Sequence, residues 1–156
     1  MASHWYHKAI TAMLQRDATL TIDLDTDTIK CGLSTAVHVP DPDDGFLDIA
    51  GTADFTANEA TGTNYTGAFG GSGRKALVTK TCASDTATNR TKFDADDLTW
   101  TAYNPTTATA HATILKEITN DTLSPTIINL DFSAVDPNGN DFILQFHADG
   151  IGYIAV

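Results

Sequence analysis

The sequence is short of cations. Its 156 residues hold 9 lysines and arginines against 20 aspartates and glutamates, a net charge of −11, and its pI is about 4.5. Binding nucleic-acid phosphates or an anionic membrane surface needs a basic face, which so acidic a chain does not supply. The same excess favours solubility. Cysteine is scarce as well. Cys31 and Cys82 are the 2 cysteines, with no CxxC pair and no neighbouring His, which argues against a zinc ribbon or dithiol redox motif. Both are expected as buried free thiols. No run reaches the roughly 18 apolar residues of a membrane-crossing helix. The opening "MASHWYHKAITAML" lacks the basic start, apolar run and cleavage site of a secretory signal, so the chain is expected to be made in the cytoplasm.

The motifs of chemistry are missing too. The stretch "NEATGTNYTGAFGGSGRKALV", residues 58–78, is rich in glycine. A phosphate-gripping P-loop requires Gly-Lys-Ser/Thr before a helix. Here Arg74 stands where the lysine belongs, Lys75 is followed by alanine, and the next residues read as a strand. The glycines therefore predict a hairpin loop. Asp23, Asp25 and Asp27 resemble the start of a calcium loop, yet the positions that need Gly and Glu hold Thr28 and Ser34. If that segment is a strand, the three aspartates share one solvent face. Asp41, Asp43 and Asp44 are oxygen-rich enough to be weighed as a calcium loop, and Asp94, Asp96 and Asp97 form a further acidic cluster. Glycoside hydrolysis needs carboxylates facing each other across a cleft, a geometry that local clustering does not imply. His4 and His7 are three apart on an expected helix, without HExxH or an evident third ligand. There is no GxSxG elbow. The expectation is a protein that is not an enzyme and has no cofactor and no metal.

What is present is a β pattern. The length suits one domain, 1–156. Threonine is abundant, and it favours half-buried pleated surface. Residues 4–16 carry the best helical spacing, with Trp5, Ala9, Ala12 and Met13 in phase and Ser3 as N-cap. Leu20, Ile22 and Leu24 alternate with polar residues, as do Ile29, Cys31 and Leu33, which predicts a strand pair turning at "DTD". "HVPDPDDGFLDIAG" reads as a surface loop anchored by Phe46 and Leu47. "KALVTKTCAS" reads as a strand and "DTATNR" as a turn. "TKFDADDLTWTAYN" reads as a strand that bends at Asp94–Asp97 and resumes with Leu98, Trp100 and Ala102 on a core face. "TATAHATILKEIT", "TIINLDF" and "DFILQFHADGIGYIAV" supply the rest. About eight short strands after one N-terminal helix describe a mainly β fold, an antiparallel sandwich or jelly roll over 20–156.

Several of these stretches also look familiar together. "TIKCGLS" followed by "PDPDDGF", then "ANEATGTNYTG", "ATNRTKFDADDLTWTAY" and "LDFSAVDPNGNDFILQFHADGI" resemble, in the same order, elements of a family of small tailed-phage virion proteins. The chain departs from that family at Phe146, where Trp is frequent, and in the longer loop "AFGGSGRK". The resemblance implies a virion structural protein with a sandwich or jelly-roll fold. It implies first a capsid decoration (cement) protein bound to the major capsid protein, and second a tail, neck or fibre-base component. Self-association as a homodimer or homotrimer is expected, with no direct nucleic-acid or membrane partner. The candidate interface residues are Trp5, Tyr6, Phe46, Tyr65, Phe69 and Arg74. A glycan-binding groove would want Tyr65, Trp100 and Tyr103 exposed, against the alternation that places Trp100 in the core.

Overall fold

The computed structural model describes residues 3–15, 20–49 and 54–155. The chain begins with strand β1 (His4–Trp5), helix α1 (His7–Gln15), β2 (Ile29–Thr35), helix α2 (Phe55–Asn58), β3 (Gly62–Thr63) and β4 (Lys75–Ala76). It continues through β5 (Thr81–Asp85), β6 (Arg90–Asp94), β7 (Leu98–Trp100), β8 (Asn104–Pro105) and β9 (Thr109–Lys116), then β10 (Thr126–Val135), β11 (Phe142–Leu144) and β12 (Gly152–Ala155). The fold is mainly β with antiparallel sheets, as the composition and alternation predict. The main sheet runs β1-β10-β9-β2-β4, opposed by the sheet β12-β6-β5 and the pair β11-β7, and β3 pairs with β8.

Period-two alternation gives the main sheet two unlike faces. One rung is Trp5, Ile128, Ile114 and Cys31, and the next is Leu130, Ala112 and Leu33. This apolar face packs on Phe93, Leu98 and Trp100 from the opposing strands and on Tyr103 and Ile151 beside them. The other face carries His4, Asn129, Thr113 and Gly32 in one rung and Asp131, His111 and Ser34 in another. It is covered by the long loop after β2 and by α2. Phe55 lies against Gly32, where a Cβ would sit 2.5 Å from the ring, and forms a small second core with Leu47 and Leu115.

Several expectations are corrected. The N-terminal helix does not span 4–16. His4 and Trp5 pair with β10, and Tyr6 N–H donates to the Ile127 carbonyl at 2.9 Å, so α1 starts at His7. A sheet edge that satisfies these backbone groups outweighs the helical spacing, and Arg16 lies outside the described residues. Ser3 is no N-cap; its hydroxyl accepts from Asp131 N–H at 3.0 Å. The segment 20–28 is not a strand, although Leu20, Ile22 and Leu24 are buried. Asp23 instead closes a turn, accepting from the N–H groups of Asp25 and Thr26 at 3.0 and 3.2 Å. "KALVTKTCAS" divides into β4 and β5, which belong to different sheets. The last stretch, expected as one strand or a pair, is the two strands β11 and β12. Cys31 is buried but Cys82 is exposed, and both are free thiols.

Candidate functional site

The most unusual group in the molecule is Arg74. Its side chain is wholly buried, which is rare for a guanidinium unless it is fully paired. Here it is paired twice over. Nε and one terminal nitrogen donate to Glu59 at 2.8 and 2.7 Å. The terminal nitrogens donate to Asp121 at 2.6 and 3.0 Å. A further bond reaches Glu117 at 3.2 Å, and Lys30 also donates to Glu117. Tyr65 O–H donates to Glu59 at 3.1 Å. Burial works against the guanidinium charge, but the bonds to Glu59 and Asp121 outweigh it and raise the pKa above its ordinary value. Burial pushes the Tyr65 phenol up, and the neighbouring Glu59 adds to the rise.

This cage holds the glycine-rich loop. Carboxylate oxygens already bonded to Arg74 also accept from loop N–H groups: Glu59 Oε2 from Ala68 at 2.7 Å and Glu117 Oε1 from Gly70 at 3.2 Å. Within the loop, Gly71 N–H donates to Ala68 carbonyl and Gly73 N–H to Thr66 carbonyl, both at 2.9 Å. Gly73 runs under the Tyr65 ring, where a Cβ would sit 2.5 Å from it. Trp100 Nε1–H donates to the Gly73 carbonyl at 2.7 Å. The loop is not a hairpin, because β3 before it pairs with β8 and β4 after it pairs with β2. Nor is it suited to phosphate. Ala68 and Gly70 N–H groups already face carboxylates, whose charge repels an anion.

No family model, curated protein or solved structure matches the chain. The site is therefore read from its own residues.

Of the six candidate interface residues, three are interior. Tyr6 and Tyr65 lie in the main core at 1% and 3% exposure, and Arg74 is 3% exposed. They are corrected from surface contacts to internal supports. Trp5 is half-buried, its indole N–H donating to the Tyr153 carbonyl at 3.2 Å. Phe46 is half-buried beneath the Lys8 ammonium, 4.0 Å from the ring centroid. Phe69 alone among the six is exposed, at 47%. Trp100 and Tyr103 are fully buried, so no aromatic groove forms from Tyr65, Trp100 and Tyr103.

The acidic clusters tie loops together. Lys116 pairs with Asp27 at 2.7 Å, and Lys80 donates to the Asp27 carbonyl. Asp41 accepts from Asp43 N–H at 3.0 Å, and Asp43 meets His7 at 2.8 Å. Asp94 accepts from Ala95 N–H at 2.9 Å, Asp96 from the Thr79 hydroxyl at 2.7 Å and Asp97 from Phe146 N–H at 2.8 Å. Among the described residues no group of three or more His, Cys, Asp and Glu is placed to hold a metal. His4 and His7 do not share a helix face, since His4 is in β1.

A second buried polar group lies on the far side of the main sheet, and the sequence reading missed it. Ser34 Oγ is 2.8 Å from His38 Nδ1. The His38 ring meets His111 edge-on, centroids 5.6 Å apart, and His111 Nδ1 lies 3.0 Å from Asp131. Burial, reinforced by neighbouring His111, pushes His38 down to about 4. Burial also lowers His111, against the pull of Asp131. With Ser34 and His38 at 0% and 2% exposure, the pair has no open face for a substrate. Sequence offered only one signal here, Ser34 and His111 at polar steps of apolar strands.

Proposed function

We propose that the protein is a structural component of a tailed-phage virion, a decoration protein that binds the major capsid protein lattice and stabilises it. The observation that supports this reading is a convergence. The sequence elements that resemble the phage family lie far apart along the chain, yet their most distinctive residues meet. Leu33 N–H of "TIKCGLS" donates to the Tyr65 hydroxyl of "NEATGTNYTG" at 2.8 Å. Trp100 of "DADDLTW" closes the loop that Glu59 holds. Asp97 of the same element accepts from Phe146 N–H in the closing element, and Ile151 N–H there donates to the Phe93 carbonyl. Residues that frame one scaffold are those most expected to persist among proteins sharing it, so the resemblance reads as one of architecture.

The proposed role requires no reaction and no cofactor. A protein that binds only the assembled lattice stabilises it by mass action. The acidic surface keeps such a protein soluble before it binds. Quantitative mass spectrometry of purified virions tests the reading. A copy number comparable with the major capsid protein is expected. A few copies, in a multiple of the tail symmetry, would replace decoration with a tail, neck or fibre-base role. Absence from the particle would overturn the virion reading altogether.

A further inference from the structure

We propose that Phe69 is the knob of a head-to-tail contact between copies of this chain. It seats in the apolar cleft formed by α1, the 21–24 segment and β5 of the next copy.

Three features set Phe69 apart. First, the residue is 47% exposed on a loop that is otherwise small and polar. Second, the N–H groups on either side of it, of Ala68 and Gly70, are both clamped by carboxylates of the Arg74 cage. Third, Ala68 is held at φ 66°, a left-handed conformation that a residue with a Cβ avoids. A buried ion cluster, a strained alanine and an exposed aromatic ring each cost stability. The cluster and the strained alanine together hold that ring outward in one place. Rigid aromatic side chains presented in this way are the usual anchors of interfaces, because little freedom is lost on binding.

The same chain carries a fitting hole. Ala12, Met13, Ile22, Leu24 and Cys82 line a cleft of about 390 Å³. A recess of about 200 Å³ adjoins it, sharing Met13, Leu24 and Cys82. An apolar cavity of roughly 150 Å³ is enough for a benzene ring. Charge matches as well as size. The Lys75 ammonium, just beyond the loop, has no ion-pair or hydrogen-bond partner among the described residues. Asp23 lines the cleft and is exposed, with exposed Asp25 two residues on. In the proposed contact Lys75 of one copy pairs with these carboxylates of the next. Knob and hole lie on different parts of the surface, so the contact is heterologous. Repeated, it yields a ring if the rotation closes and a filament if it does not.

Sedimentation velocity from about 1 μM to about 1 mM protein tests this. The wild type should associate with rising concentration. Phe69→Ser removes the knob and keeps the cleft. Cys82→Lys fills the cleft with a cation and keeps the knob. Each should weaken association at least about thirtyfold, the fold-change of an interface hot spot. Both sites are exposed, so both variants should melt like the wild type. Mixed together, the two variants should form a one-to-one dimer and stop there, because only one intact knob meets one intact cleft. A wild type that stays monomeric overturns the contact. So does a Phe69→Ser variant that associates like the wild type, or a mixture without the dimer. Virion copy number plays no part in this test, so its failure would leave the virion reading standing.

Discussion

At the scale of single residues, two buried groups carry the electrostatics. Arg74 neutralises carboxylates that could not otherwise be buried. Arg74→Met keeps much of the bulk and removes the charge that Glu59 and Asp121 share, leaving Glu117 paired with Lys30. Breaking a buried ion pair in this way costs about 3–5 kcal/mol, and chemical denaturation should show a loss of that size. Arg74→Lys should recover only part of it, because an ammonium does not serve two carboxylates bidentately. A loss below 1 kcal/mol for Arg74→Met would mean that the cage is not structural. His38 is the second group. Its folded pKa of about 4 lies below its ordinary value of about 6.5. The unfolded chain therefore takes the proton first as pH falls. Stability from this group is complete above pH 6.5 and declines towards pH 4, by at most about 3 kcal/mol. Asp54 opposes the shift, whereas His111 and His4 reinforce it. Denaturation midpoints across this window should fall with pH in the wild type. His38→Gln should flatten part of that slope, with the remainder belonging to lowered His111. An unchanged slope would remove His38 as the cause.

At the scale of elements, the glycine-rich loop depends on close approach. Gly73→Ala would place a methyl group against the Tyr65 ring, and overpacking of this kind costs about 1–3 kcal/mol. Limited proteolysis should then find a new cleavage site between residues 66 and 73 before global unfolding. Resistance equal to the wild type would mean that the loop has room to move. Trp100→Phe keeps an aromatic ring on the apolar face and deletes the bond to the Gly73 carbonyl. The buried carbonyl left behind costs about 1–3 kcal/mol, read as a lower melting temperature. The same scale explains the misread N-terminus. Trp5, Ala9 and Ala12 do recur at helical spacing, but two residues of strand pairing on β10 hold the chain extended as far as Tyr6.

At the scale of the whole molecule, the two thiols report which side of the fold each face belongs to. Cys31 sits on the apolar rung of the main sheet and burial pushes its thiol far up. Cys82 is exposed, although partial burial and the nearby aspartates Asp25 and Asp23 also raise it. A thiol reagent at mildly alkaline pH should therefore label Cys82 in the folded protein and both cysteines after denaturation. Labelling of Cys31 without unfolding would contradict the sandwich. The β class, the alternation of β2, the core face of Leu98 and Trp100 in β7, and the loop at Asp41–Asp44 were legible in the sequence. Alternation is intrinsic to the pleat, so it survives whatever partners a strand finds. Strand ends and partners were less legible. "KALVTKTCAS" keeps one β-like composition across two sheets, and nothing local marks where the chain leaves one for the other.

The candidate site divides in the same way. The glycines, the aromatic Phe69 and the misplaced Arg74 stood out in one short stretch. An acidic surface and the unsuitability of the loop as a P-loop followed from residue identity alone, because charge and side-chain chemistry do not depend on the fold. The cage itself was invisible. Glu59, Glu117 and Asp121 lie 15, 43 and 47 residues from Arg74, among 20 acidic residues that look alike in the sequence. Choosing those three requires the strand order of the sheets, which brings distant segments to one buried point. There a carboxylate must find a cation or remain unpaired away from water, and that requirement arises only once the chain has closed around it.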